Sequence, residues 1–167
     1  AFHAARSQTE ASSQTASSRW PEGAAMPPQR IHFQVAGEGA LAEALAAALA
    51  ARLPDAVPAA ETAVADLRVR IEAADVTWTP VYGRAEVTAS AAYSSDGEFG
   101  FWVERPYHFQ FDDDDTRAAQ VVRVALDVTV RDRSIGLLSR PAYHALLADR
   151  LALEVNQMLQ MHVFAAP

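Results

Sequence analysis

Ile31, Phe33 and Val35 alternate with His32 and Gln34. A period of two marks a strand with one buried face, and Gly37 and Gly39 break it. Leu41, Leu45, Leu49 and Leu53 then recur at helical spacing in an alanine-rich stretch that Pro54 stops. Further on, Leu67, Val69 and Ile71 alternate with Arg68, Arg70 and Glu72. Val76 and Trp78 take the opposite parity, so a bulge is expected near Ala74-Asp75. Residues 85–93 predict a second strand, closed by the turn signal Ser94-Ser95-Asp96-Gly97. Phe99, Phe101 and Val103 predict a returning strand, and beyond Pro106 the residues Tyr107, Phe109 and Phe111 resume the alternation.

Residues 118–131 pose the one conflict. Asp112 to Asp115 and Thr116 offer a helix cap. Val122, Val124, Leu126, Val128 and Val130 nevertheless alternate without fault, and β-branched residues dominate. A strand is expected. After Pro141, Leu147, Leu151, Val155, Met158 and His162 mark one face of a long helix. The predicted order is β-α-β-β-β-β-α. That implies an α+β fold, with a mostly antiparallel or mixed sheet carrying two helices on one face. A doubly wound nucleotide fold is excluded by the missing strand–helix alternation.

Residues 1–29 read differently. Positions 7–18 are Ser, Gln, Thr, Glu and Ala only, too polar to offset the entropy of ordering them. A flexible or partner-bound tail is expected there, with residues 30–167 as a single α+β domain. The tail would be a spacer, a tether from a membrane anchor, or an arm gripping a partner through Trp20 and Met26. Because the chain starts at Ala1, a removed targeting segment is also expected.

The net charge of -7 argues against nucleic acid. All 14 basic residues are arginine, which excludes lysine Schiff-base and P-loop chemistry. With no cysteine, disulfides, thiolate catalysis and cysteine metal sites are excluded too. No apolar run reaches the ~20 residues of a membrane-spanning helix.

Candidate chemistry is sparse. Asp112–Asp115 lacks the ligand spacing and glycine of a calcium loop. His3, His32, His108, His144 and His162 include no i, i+4 zinc pair. His108 with Asp112, or Glu104 with His144, would be the acid–base pairs of an unrecognised hydrolase or isomerase. Gly37-Glu38-Gly39 precedes a helix, but the Glu38 charge opposes an anion there. No catalytic residue, metal or cofactor is assigned. Phe99, Phe101 and Val103 are expected to face the core, turning Trp102 outward near Arg105 and Tyr107. Trp, Arg and Tyr anchor interfaces, so Trp102, Arg105, Tyr107 and Trp20 are the expected protein-contact residues; the alternative for the Trp102 face is a second packing layer, covered by the tail or a helix.

The stretch from Pro27-Pro28-Gln29-Arg30-Ile31 into the Leu41–Leu53 helix, then Ala65-Asp66-Leu67-Arg68-Val69, resembles small lipoproteins of the bacterial outer membrane. So does Val122 to Leu138, where a strand ends in the Asp132…Gly136 turn before a C-terminal helix. The lipopolysaccharide-assembly lipoproteins are the nearest in layout, over about 135 residues from Pro28. The resemblance implies a sheet with two helices on one face and the role of a non-enzymatic accessory plug. It also implies a periplasmic or outer-membrane-associated place, a protein partner in a membrane-associated complex, and a peripheral tether through the N-terminus. The alternatives are an organelle-imported protein, a structural subunit of a large particle, or the small enzyme named above.

Overall fold

The computed structural model describes residues 6–19, 31–37, 39–53, 57–58, 65–103, 107 and 122–164. In chain order the elements are β1 (Arg6–Arg19), β2 (His32–Ala36), α1 (Ala40–Arg52), β3 (Val57–Pro58), β4 (Leu67–Thr79) and β5 (Tyr82–Ser94). A single 3₁₀ turn (Gly100–Trp102), β6 (Val122–Ile135) and α2 (Arg140–His162) complete them. The strands form one mixed sheet in the order β1-β6-β5-β4-β2-β3, its last member only two residues long. The fold is α+β, as the alternation implies.

β4, β5, β6 and β1 are antiparallel neighbours. β2 runs parallel to β4, which demands a crossover, and α1 lies within it. The bulge in β4 falls between Ile71 and Ala73, two residues before the expected place. Its effect is the expected one. Val69 and Ile71 face the helices before it, and Val76 and Trp78 pack against the same core after it.

Both helices cover one face of the sheet. Leu45 and Leu49 of α1 and Leu147, Leu151, Val155 and Leu159 of α2 join Val87, Leu126 and Val130 in one buried cluster. Each such side chain contributes about 1.5–3 kcal/mol when fully buried. Ser139 caps α2 by accepting from the Ala142 N–H at 3.2 Å, and Pro141 sits in the first turn. Arg52 grips Asp149 through two 2.7 Å bonds, tying α1 to α2.

Two expectations are corrected. Residues 6–19, read as part of a tail, form β1, which pairs with β6 over its whole length. Residues 1–5 and 20–29 lie outside the described residues. Residues 99–103 do not form a strand; they make a 3₁₀ turn laid on the face away from the helices. Residues 108–121 lie outside the described residues, and 122–131 belong to β6.

The turn before this segment is held by one carboxylate. Asp96 accepts from the Ser94 hydroxyl at 2.6 Å, the Glu98 N–H at 3.1 Å and Arg123 at 2.8 Å. Burial raises its pKa, but these bonds and the arginine charge outweigh burial and hold it below the ordinary carboxyl value. A lowered folded-state pKa adds stability above the unfolded value of about 3.9, and that stability is lost as pH falls through the folded value. Melting temperature should therefore drop more steeply on acidification below about pH 5 in the wild type than in Asp96→Asn. Parallel acid limbs for the two proteins would contradict this role.

Candidate functional site

The face away from the helices has two halves. On β5 it presents Arg84, Glu86, Thr88, Ser90 and Ala92, because the odd-numbered Ala85, Val87, Ala89 and Ala91 turn to the core. One half is roofed by aromatic residues. Phe99, Phe101 and Trp102 pack on Ala92 and Ala125, with Tyr107 at the margin. Arginines stack on them: Arg68 lies 4.3 Å from the Phe99 ring centre and Arg70 lies 4.2 Å from that of Trp102.

Trp102 is therefore not the outward-facing anchor expected from the sequence. It is 7% exposed, and its Nε1 donates to Ser90 Oγ at 2.7 Å. Tyr107 gives its hydroxyl proton to Asp127 at 2.7 Å, so Ser90 is the donor in its 3.3 Å contact with Tyr107. Trp102 and Tyr107 are brought together, but as a packed layer. Arg105, Trp20, His108, Glu104 and Asp112–Asp115 lie outside the described residues. His144 is half-buried on α2. His32 lies 3.7 Å from Asp66, which also accepts from the His32 N–H. That contact ties the start of β2 to β4.

Among the described residues nothing covers the other half. A groove of about 440 Å³ there is lined by Gln8, Glu10, Asp75, Thr77, Arg84, Glu86, Arg131 and Arg133, among others. Strand register orders them into two rows. Gln8, Arg133, Arg84 and Thr77 lie directly opposite one another across β1, β6, β5 and β4. The next row reads Glu10, Arg131, Glu86 and Asp75. The second row is partly neutralised, since Arg131 reaches Glu86 at 3.3 Å. In the first row two arginines stand directly opposite each other, and the other two members of that row, Gln8 and Thr77, are neutral.

Like charges directly opposed across strands are destabilising. Arg52, Arg70, Arg123, Arg131 and Arg150 each meet a carboxylate. Arg68, Arg84, Arg133 and Arg140 meet none among the described residues, although the chain carries 21 acidic side chains, and of these four only Arg84 and Arg133 oppose each other. Arg84 and Arg133 thus stand opposed without an ion pair, flanked in their own row by Gln8 and Thr77, while Glu10, Asp75 and Glu86 line the next row of the groove. Two planar guanidinium forks on directly opposed residues can bind an oxyanion, and the flanking groups can complete its hydrogen bonds. No sequence pattern exposes this pair, because its members are 49 positions apart and meet only through register.

Beneath the groove, on the helix face, Asp132 is buried and accepts from Thr9 at 2.7 Å and Ser134 at 2.8 Å. Burial first, and then the nearby Asp132 carboxylate, push the Tyr143 hydroxyl above its ordinary pKa. This polar cluster fastens β1 to β6 under α2.

Comparison with known proteins finds no matching family model, no matching curated protein and no matching solved structure.

Proposed function

We propose that the chain is a non-catalytic accessory subunit of an extracytoplasmic, membrane-associated assembly, and that its open sheet face holds an anionic group. The observation that carries the reading is the directly opposed Arg84–Arg133 row. Retaining two opposed arginines costs stability, and an oxyanion ligand removes that cost. The layout favours the same reading. A sheet with two helices on one face is what the resemblance to outer-membrane lipoproteins implies, and those proteins serve as accessory plugs. The overall charge of -7 repels an anionic glycolipid at a distance. Glu10, Asp75 and Glu86 line the neighbouring row of the groove, so binding rests on direct contact with the Arg84–Arg133 row and not on the sign of the surrounding field.

Flotation with vesicles tests the reading. Neutral vesicles should leave the protein behind, whereas vesicles doped with a phosphorylated glycolipid should carry it. Arg84→Gln with Arg133→Gln should weaken that binding about tenfold or more, equivalent to about 1.4 kcal/mol. Arg140→Gln, at the exposed start of α2, should leave it unchanged. Equal binding by the double variant and the wild type would remove the arginine pair from the function.

A further inference from the structure

The two edges of the sheet are built in opposite ways. At one end lies β3, two residues long and containing Pro58. Short strands and proline are the usual protection of an edge, since both deny a foreign strand its hydrogen bonds. At the other end lies β1. It is 14 residues long, contains no proline, and pairs with β6 from Arg6↔Ile135 to Arg19↔Val122 without a register shift. Among the described residues nothing pairs with its outer side. Its side chains from Gln8 to Ser17 are polar apart from Ala11 and Ala16, and the one charge among them is Glu10. Among the described residues β1 has no proline, no bulge and no element laid along its outer side, and Glu10 is the one charge within that stretch.

We propose that two copies of this chain pair antiparallel through β1, about a two-fold axis at Ser12, to form one continuous sheet. This partner surface does not depend on the anion reading above. Antiparallel self-pairing requires an axis normal to the sheet, which keeps all four helices on one face and pairs each position with one of the same parity. Centred on Ser12, Glu10 faces Gln14 of the second copy, Thr9 faces Thr15, Ala11 faces Ser13 and Gln8 faces Ala16. No like charges meet, and two Thr–Thr rungs form, which are favourable cross-strand pairs. Centred on Ser13, Glu10 would face Ala16 and both Thr–Thr rungs would be lost.

The ladder from 6 to 18 supplies about 13 backbone hydrogen bonds, within the roughly 10 ± 5 of an ordinary protein interface. It also satisfies the outward N–H and C=O groups of β1. A self-pair is preferred to a foreign strand because the pattern is complementary to its own reverse.

Light scattering behind size exclusion should give twice the 18.0 kDa chain mass for the wild type. Ser12→Glu and Ser12→Arg each set like charges against themselves on the axis, and each should weaken the dimer about tenfold or more. Mixing the two variants should restore it, since the axis now pairs glutamate with arginine. The chain has no cysteine of its own, so Ser12→Cys introduces a lone thiol. Facing residues lie about 4.5–5.5 Å apart at Cα, within disulfide reach. Ser12→Cys should therefore cross-link on oxidation. Ser17→Cys should not, because ten residues of offset separate its copies by about 34 Å. A monomeric wild type would overturn the proposal. So would an unrestored mixture, or cross-linking through Ser17→Cys as efficient as through Ser12→Cys.

Discussion

Trp102→Ala is expected to lower the stability of the isolated domain by about 3 kcal/mol, read as a shift in urea midpoint at constant slope. The indole is 7% exposed and packs against Phe99 at 6.3 Å between ring centres. Arg70 lies over its face, and its N–H satisfies the buried Ser90 hydroxyl. Removing it loses the transfer energy of a large ring, leaves a cavity over Ala92 and Ala125, and strips Ser90 of one partner. Buried Trp→Ala changes run at about 3–5 kcal/mol. The lower end applies here because this layer is smaller than the main core. Val103, next in sequence, is 72% exposed. Val103→Ala should stay within about 0.5 kcal/mol. If Trp102→Ala left the midpoint unchanged and altered only association, the ring would be an interface anchor after all.

Trp102 lies on the face the alternation assigns it, but Phe99 and Phe101 join it there instead of entering the main core. Phe99-Gly100-Phe101-Trp102-Val103 alternates as a strand would. Gly97 at φ 77° and the following 3₁₀ turn instead bring Phe99, Phe101 and Trp102 onto one surface. Tight helical turns and strands cannot be separated by parity over five residues. β1 was missed for the opposite reason. Strand recognition relies on a buried apolar face, and Ser13, Thr15 and Ser17 of β1 are exposed even on the helix side. Its order rests on the ladder to β6 and on Thr9 bonding Asp132, neither of which composition records. β4, β5, β6 and both helices were legible because each buries one consistent face. The charged rows of the open face were not, since they depend on register between strands far apart in sequence.

Gly83→Ala carries the second large effect, and nothing in the local sequence announces it. Gly83 lies on the helix side of β5, opposite Trp78 and Ser134. A Cβ placed there would stand 2.7 Å from Cε2 and Cζ of Tyr143, whose side chain is fully buried. Carbon atoms pack at about 3.5–4.0 Å, so about an ångström of displacement is required. Tyr143 cannot supply it freely. It sits in the first turn of α2, and the Trp78 Nε1–H bond to the Leu138 carbonyl at 2.9 Å pins the segment just before that helix. The helix must lift, or the ring must leave its rotamer. Overpacking of this kind costs about 1–3 kcal/mol, and about 2–3 kcal/mol is expected here. Tyr143→Ala alone should also destabilise strongly, through the cavity it leaves. The double variant should then cost less than the sum of the two, because the added methyl occupies space the ring has vacated. Strict additivity would mean that Gly83 serves the strand backbone alone, and that the helix does not depend on its missing side chain.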